Sequence, residues 1–521
     1  MGKTSDLNRR QFLKGAAVLG GAAAVVGIAG CSPNNVSNSA KSMNGPGDVA
    51  WDQETDVVVV GAGGGGLAAA AEAVSAGAEV IVVEAMESTA MSNTALCAGM
   101  IQGAVTSVQK EAGITDSVEE FDKYLEAIAE GFEDPELRRL YAEKSGETID
   151  WLIEQGVELP VNGLKDFGTV AQYYTDVTPV VARVHTTADG RGASYTEPLT
   201  KVVEDAGAEF MFNASGSRLI TDGNGEVIGL TVVDGRTEKA IKARKGVILA
   251  TAGFSRNPEM IRTFMTPAIP KMANDIPVLA SYGSPMQKGD GIKMGLAVGA
   301  KLNVPWVAYQ MAPGIAGNPE DNTGGYGNPG AYVRTDGTGY NAPTGCSAEE
   351  IMADIWHQPS GFVWSIWDQN KADQAIANGY LALGLSSDMS VELETGAIKK
   401  ADSIVELAAL LELDAAVLES TISAYNETAN PELGKLPVTA TPFYAGRTVA
   451  VTPDTSGGLA INTDTQVKNV FDEVIPRLYA VGNNAGGFKG KICTGCGQAL
   501  GWTFTTGRIA GKHAASLDAW E

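Results

Sequence analysis

Histidine and cysteine are scarce in this chain, with three of the first and five of the second among 521 residues. The one C-x-x-C, Cys493 to Cys496, has no second copy, so a four-cysteine zinc site is unsupported and no metal is expected. No C-x-x-C-H is present for covalent attachment of haem. Cations are also short: 38 Lys and Arg face 62 Asp and Glu, a formal charge of −24. That balance excludes nucleic acid as a partner, because phosphate binding needs a basic face. It reads as a solvated acidic surface, compatible with solubility outside the cell. One apolar run stands out, Ala16 to Ala29, and it is too short and too rich in small residues for a comfortable transmembrane span.

What precedes that run gives it a meaning. Asn8-Arg9-Arg10-Gln11-Phe12-Leu13-Lys14 resembles the twin-arginine export consensus, which makes the twin-arginine translocase a partner and the location extracytoplasmic. The run ends Ile28-Ala29-Gly30-Cys31, which resembles a bacterial lipobox, with Cys31 as the acylated residue of a membrane-anchored lipoprotein. The bland alternative is an unmodified cysteine near an ordinary cleavage site, giving a periplasmic or secreted protein. Residues 1–31 are thus read as signal, and 32–50, rich in Asn, Ser, Pro and Gly, as a flexible tether. An exported chain can form disulfides, so Cys97, Cys346, Cys493 and Cys496 are candidates.

The 63 glycines suit an α/β protein with many close turns, and one glycine run organises the rest. Thr55 leads into four valines, Val57 to Val60, the mark of a strand buried on both faces. Gly61-Ala62-Gly63-Gly64-Gly65-Gly66 follows and satisfies G-x-G-x-x-G; then come an alanine-rich helix, Gly77, a strand from Val80 to Val83, and Glu84. Gly61 permits the tight turn, Gly63 lets backbone approach a pyrophosphate, and Gly66 lets helix and strand pack closely. The helix N-terminus offers N–H groups and positive dipole to phosphate. Glu84, about 20 residues on, suits ribose hydroxyls. This reads as a dinucleotide site.

Further along, Ser117 to Leu159 has helical periodicity, with Asp134-Pro135 as a helix start. Tyr195 to Ala206 reads as a helix, with a strand near 209–212 after it. Glu226 to Val233 and Lys239 to Ala243 read as a hairpin, and Lys245 to Thr251 as a separate buried strand leading to Ala252-Gly253-Phe254. From Ala312 to Thr344 the chain is full of Gly, Pro, Asn and Thr. Regular patterns resume at the capping box Ser347-Ala348-Glu349-Glu350.

Taken together, these stretches resemble the flavoprotein subunits of the fumarate reductase and succinate dehydrogenase group. The soluble flavocytochrome c fumarate reductases and the related 3-oxosteroid dehydrogenases look closest. The resemblance covers about residues 52 to 515. It is carried by the glycine motif with Glu84, Ser92 to Leu96, Asp134 to Leu137 through Leu152, and Ala250 to Phe254. Gly289-Asp290-Gly291, Gly457-Gly458-Leu459, Ile475 to Asn483 and Gly507 to Gly511 complete it, in the family's order. It implies FAD, and an α/β Rossmann-like FAD-binding domain (51–307 and 455–521) interrupted by an α+β capping domain (308–454). The implied cofactor residues are Gly61, Gly63, Gly64, Gly66, Glu84, Asn93, Thr94, Ala95, Gly99, Thr251, Ala252, Gly253, Asp290, Gly482, Asn483, Gly497, Ala499 and Leu500.

The substrate side departs from that family. The proton-donating arginine after its R-F-x-N-E stretch falls near Ser347 or Ala348, and the stretch itself appears as Gly339-Tyr340-Asn341-Ala342. Positions of its two substrate histidines fall near Gln310 and Asp454 or Thr455, and its C-terminal arginine near Cys493. Fumarate and succinate are therefore not the expected substrates. In the steroid enzymes a tyrosine and a glycine bind the ketone oxygen; Cys493 takes the tyrosine's place, and Gly497 keeps an N–H for a carbonyl. Aromatics crowd the cap instead: Trp306, Tyr309, Tyr326, Tyr332, Tyr340, Trp356, Trp364 and Trp367 fall within about sixty residues. They read either as core, especially Trp364 and Trp367 in the strand-like FVWSIWD, or as a cleft for a ring-bearing substrate.

Tyr340 is the leading proton-donor candidate, with Tyr332 behind it. Trp306, Tyr309, Arg334 and Gly497 are candidate substrate contacts, Arg334 as a carboxylate clamp or else a surface charge. Cys493 and Cys496 are a redox pair at the flavin or, the favoured reading, small residues in a tight turn. His357 reads as a helix C-terminal dipole partner. The expected activity is reduction of the C=C of an enoate or enone small molecule. Electrons would come from a separate membrane-associated donor, or a dehydrogenation would pass them to an external acceptor. A ketosteroid-type dehydrogenase and a non-catalytic flavin electron carrier are the alternatives.

Overall fold

The computed structural model describes residues 49–129, 131–165, 180–265, 284–303, 312–316, 324–326, 330–341, 354–355, 358–377, 388–430, 436–451, 455, 457–489 and 496–520. Cys31, Trp306, Tyr309, Cys346, the capping box at Ser347, Trp356, His357 and Cys493 lie outside them.

The main sheet begins with β1 (Gln53–Val60), and the glycine run enters helix α1 (Gly64–Ser75), which returns to β2 (Val80–Val83). β3 (Glu209–Met211), the hairpin β4 (Ala214–Thr221) and β5 (Val227–Asp234), and β6 (Thr237–Leu249) follow. β13 (Gln466–Lys468) and β14 (Val474–Ala480) join from the far end of the chain; β7 to β12 lie between and are described below. The order is β13-β14-β6-β1-β2-β3, with β4 and β5 attached through β6. β14, β6, β1, β2 and β3 run parallel. Strict alternation explains why four consecutive valines are needed in β1. Val57 and Val59 join the alanines of α1 on one face, and Val58 and Val60 join a larger cluster on the other.

Two strands read separately from the sequence, Lys239 to Ala243 and Lys245 to Thr251, are one. β6 spans 13 residues; its first half pairs antiparallel with β5, and its second half lies between β1 and β14. The pattern changes at Arg244 because the environment changes there, while the backbone continues.

Helices α2 (Val118–Ala129) and α3 (Pro135–Glu154) follow the first βαβ unit, and Asp134 caps α3 by accepting from the Glu136 and Leu137 amides. α4 (Ala193–Asp205) precedes β3, and α5 (Asp290–Ala297) precedes the cap. The final helix α8 (Gln498–Ser516) lies on α1, and its glycines decide how closely. A Cβ at Gly507 would stand 2.4 Å from the Gly65 carbonyl oxygen, and one at Gly511 2.1 Å from that of Ala69. Arg508 Nε donates to Glu72 across the same contact at 2.7 Å.

The second sheet is drawn from residues 312–451, inside the interval read as the cap. It contains β7 (Ala312–Ala316), β8 (Gly324–Tyr326), β9 (Ala331–Val333), β10 (Val363–Asp368), β11 (Ile398–Ala401) and β12 (Phe443–Val451), all antiparallel. α6 (Ile404–Leu410) and α7 (Ala415–Glu427) cover one face over Ala331, Val333, Ile366 and Ala445. Trp367 is fully buried on the other face, stacked on Tyr444 at 5.8 Å; Trp364 is partly buried against the helices. The fold is thus a mixed α/β Rossmann-like FAD-binding domain with an additional sheet-and-helix unit.

Candidate functional site

At the carboxyl ends of β1, β2, β6 and β14 a long cavity opens, the place where open parallel sheets bind nucleotides. Val60, Val83, Ala250 and Val481 mark the strand ends in its wall. Of the residues expected at the cofactor, Gly61, Gly63, Gly64, Glu84, Asn93, Thr94, Thr251, Ala252, Asp290, Gly482, Asn483, Gly497, Ala499 and Leu500 line it. Gly66, Ala95, Gly99 and Gly253 are not among its lining residues.

The three motif glycines have distinct reasons. Gly61 has φ +109°, and a Cβ there would lie 2.4 Å from the Ala250 carbonyl oxygen. Gly66 would place a Cβ 1.8 Å from the Gly61 carbonyl oxygen. Gly63 is different: its Cβ would meet nothing closer than 3.8 Å, so its missing side chain leaves open space at the cavity wall beside the start of α1. Glu84 is buried, and its carboxylate accepts from the amides of Ala62 (2.7 Å) and Met86 (2.9 Å). Burial raises its pKa above the ordinary carboxylate value, while those amides pull it down. An acid so placed can accept ribose hydroxyls, and the open wall at Gly63 accommodates a pyrophosphate. The cavity therefore fits FAD.

Several residues in and behind the wall were not foreseen. Asn484 is fully buried; its Oδ1 accepts from the Thr251 amide (2.7 Å) and hydroxyl (3.2 Å), and its Nδ2 donates to the Ala252 carbonyl (2.8 Å). This staple holds Ala252 at φ +60°, a conformation that costs a non-glycine residue about 1 kcal/mol or more. Thr455 Oγ1 accepts from the Phe254 amide at 3.1 Å, and Gln287 Nε2 donates to Asn93 at 3.0 Å. Thr94 Oγ1 accepts from the Gly64 amide, fixing the loop that carries Asn93. Cys97 and Cys496 line the cavity as free thiols, and burial pushes Cys97 up to about 11 and Cys496 in the same direction.

At the α8 end of the cavity, Gly497 is the N-cap with φ +89°, and its carbonyl accepts from the Gln102 amide at 3.0 Å. That bond ties α8 to the ribbon Met100–Gln102, which pairs with Val184–Thr186. His185 sits in this ribbon, 1 % exposed, bonded to the Thr106 hydroxyl through Nε2 (2.8 Å) and to the Arg183 carbonyl through Nδ1 (3.1 Å). The carbonyl requires Nδ1–H, so in the neutral ring the Thr106 hydroxyl donates to Nε2. Burial pushes His185 down to about 4. Between its ordinary value near 6.5 and 4 the unfolded chain then binds more protons, so stability falls as pH drops through that window. The His185-dependent loss should total about 3 kcal/mol. Urea unfolding at pH 7, 5.5 and 4 should show it, and His185→Gln should flatten it.

The cap candidates form a separate group. Tyr332 and Tyr340 face each other across a hairpin closed by Thr335-Asp336-Gly337, with Gly337 at φ +86° and Thr338 N–H donating to Asp336. Their rings meet edge to face at 6.1 Å, and the Tyr340 hydroxyl donates to Asp354 Oδ2 at 2.9 Å. Arg334 lies over the Tyr340 ring (5.4 Å), and its guanidinium donates to the Gly339 carbonyl, Gln358 and Thr338. None of the three is in the cavity wall. Tyr340, with Ile355 and Val363, belongs to the same buried cluster as Phe488 and Trp502 of the FAD-binding part. Among the described residues no cluster of three or more His, Cys, Asp and Glu could hold a metal, and no helix is long and apolar enough to cross a membrane.

Comparison with known proteins matches residues 56–500 to the FAD binding domain family and residues 6–26 to the twin-arginine translocation pathway signal sequence. The chain is 28 % identical to digoxin reductase of Eggerthella lenta over 99 % of its own length and 98 % of that protein's. It is 31 % identical to NADH:acrylate oxidoreductase of Vibrio harveyi, covering 72 % of this chain and 36 % of that one. Among solved structures, the open conformation of a flavocytochrome c3 fumarate reductase superposes with a TM-score of 0.72 at 27 % identity, covering 89 % of this chain and 79 % of that one.

Proposed function

The chain belongs to the FAD binding domain family, as an exported FAD-dependent CH–CH oxidoreductase related to the fumarate reductase flavoproteins, and from that premise we propose that it reduces the C=C of an enoate or enone small molecule other than fumarate. When bound, FAD supplies the hydride acceptor or donor for one carbon. The protein must then supply a proton at the neighbouring carbon and a hydrogen bond to the activating carbonyl.

The observation that supports this reading is the side-chain chemistry of the described part of the cap. The described part of the cap offers a pair of tyrosines, and its Arg334 spends its donors on the Gly339 carbonyl, Gln358 and Thr338. Tyr340 is the proton donor in this reading, its hydroxyl oriented by Asp354, and Tyr332 supports its ring. The Gly497 amide at the start of α8 is the donor for a substrate carbonyl. Relatives named for digoxin and for acrylate support an unsaturated substrate, and the cap aromatics support one bearing a ring. The protein acts at the outer face of the membrane, anchored through a lipidated Cys31, and takes electrons from an external carrier.

The test is anaerobic. The holoprotein is reduced with dithionite and mixed with a panel of enoates and enones, aromatic and aliphatic, with fumarate included. Reoxidation by at least one non-fumarate member within seconds is expected. Reoxidation by fumarate alone, or by none, would sink the reading.

A further inference from the structure

Gln102, next to Gly497, has a buried polar atom that the cofactor wall does not use. Its main chain is fully engaged: the amide donates to the Gly497 carbonyl at 3.0 Å, and the carbonyl accepts from the Tyr141 hydroxyl at 2.6 Å. Alternation along the strand Met100–Gln102 then decides where its side chains go. Ile101 turns into the cluster of Leu67, Tyr195 and Phe504, so Met100 and Gln102 share the opposite face. Met100 is in the cavity wall, and Gln102 is not. Gln102 lies one step further along the ribbon, on the side of Tyr141. The Tyr141 ring meets Phe488 and Trp502 at 6.1 and 6.3 Å, in the cluster that Tyr340 of the cap joins. Gln102 is 3 % exposed, and its Oε1 is buried without a hydrogen bond from any described residue. A buried acceptor left in that state costs free energy, and a ligand that donates to it recovers the cost.

We propose that Gln102 is a substrate-binding residue that accepts, through Oε1, an N–H or O–H carried on the carbonyl carbon of the substrate. The inference rests on the reading that the Gly497 amide donates to that carbonyl, and it narrows the substrate class. A donor at Gly497 and an acceptor at the neighbouring Gln102 form a pair that a carboxamide or a protonated carboxyl group answers at both positions. A ketone answers only one of them, and a carboxylate has no proton to give. The substrate fits this role better than the cofactor does, because Met100 and Gly497 line the cofactor cavity and Gln102 stands outside its wall. The two main-chain hydrogen bonds hold the Gln102 backbone on both sides, so its carboxamide is placed before any ligand arrives. Gln102 thus sets specificity by direction, without contributing charge.

The test reads binding without turnover. Oxidised holoprotein is titrated with cinnamamide and with benzylideneacetone, which share the ring, the C=C and the carbonyl and differ in –NH2 against –CH3. Perturbation of the flavin absorbance gives each Kd, and thermal unfolding of the holoprotein gives its stability. Gln102→Met, unbranched, apolar and of similar length, should weaken cinnamamide about tenfold and leave benzylideneacetone within about twofold. Its flavin content should be unchanged and its unfolding midpoint no lower, since the substitution removes an unpaired acceptor. Gln102→Asn, which withdraws the carboxamide by one methylene, should also weaken cinnamamide alone. Equal losses for the two ligands overturn the acceptor role. Unchanged cinnamamide affinity overturns it too: with less flavin bound, Gln102 serves the cofactor, and with a lower midpoint it serves the fold. Cinnamamide that binds as expected but does not reoxidise the reduced protein sinks C=C reduction of this ligand and leaves Gln102 in place. If neither ligand perturbs the parent, the midpoint decides. A less stable Gln102→Met protein then overturns the proposal, and one at least as stable as its parent sustains it.

Discussion

Gly66→Ala should yield no usable flavoprotein, whereas Gly63→Ala, three residues earlier in the same motif, should yield a folded protein that has lost its cofactor. At Gly66 the new methyl would stand 1.8 Å from the Gly61 carbonyl oxygen and 3.2 Å from Val59 Cγ1. Both neighbours belong to the β1–α1 crossover, so α1 must lift from the sheet and drag α8 with it through the Gly65–Gly507 contact. Overpacking a backbone contact of this kind costs about 3 kcal/mol or more. At Gly63 the nearest atoms are Ser92 Cβ and Thr94 Oγ1 at 3.8 Å, and φ is −78°, which alanine adopts freely. The methyl there projects into the space that a pyrophosphate needs, and FAD affinity should fall on the order of 100-fold. Absorbance at 450 nm after gel filtration reports occupancy, and thermal unfolding of the apoprotein reports the fold. A Gly63→Ala protein that keeps full flavin would refute the placement of the pyrophosphate at that wall. A Gly66→Ala protein as stable as its parent would refute the packing argument.

That contrast also shows what was legible in the residues alone. The glycine run, the four valines and Glu84 act locally, within one βαβ unit, so spacing alone discloses them. Gly507 and Gly511 stood out only through likeness to a family; their physical reason, backbone oxygens of α1 inside the radius of a Cβ, needs two helices far apart in sequence. Asn484 was overlooked for the same cause. Its partners Thr251 and Ala252 lie more than 200 residues away, and nothing in the sequence around Asn484 announces that its amide completes their turn. One signal was present and unread. Asp336-Gly337 between two apolar stretches is a hairpin signature, and it brings Tyr332 and Tyr340 into register. The single long strand β6 was divided because burial, the quantity that patterning reports, changes midway along it.

Tyr340→Phe should lower the rate of substrate-driven reoxidation by a factor on the order of 100 to 1,000 while leaving flavin content unchanged. The range is that of losing a positioned general acid. The substitution is conservative for the structure. The ring keeps its edge-to-face contact with Tyr332 at 6.1 Å and its place under Arg334 at 5.4 Å. One hydrogen bond is lost, to Asp354, which is worth about 1 kcal/mol of stability. A merely structural tyrosine would therefore cost stability and spare the rate. Asp354→Asn supplies the second reading, since its side chain can still accept from the hydroxyl but no longer carries charge. If Asp354 orients and polarises Tyr340, that variant should lose about tenfold in rate and show an altered pH profile, whereas Tyr340→Phe should remove the profile's acid-dependent limb. Reoxidation of the Phe variant at the parent's rate would take the proton donor away from Tyr340. The proton would then have to come from cap residues other than this tyrosine pair.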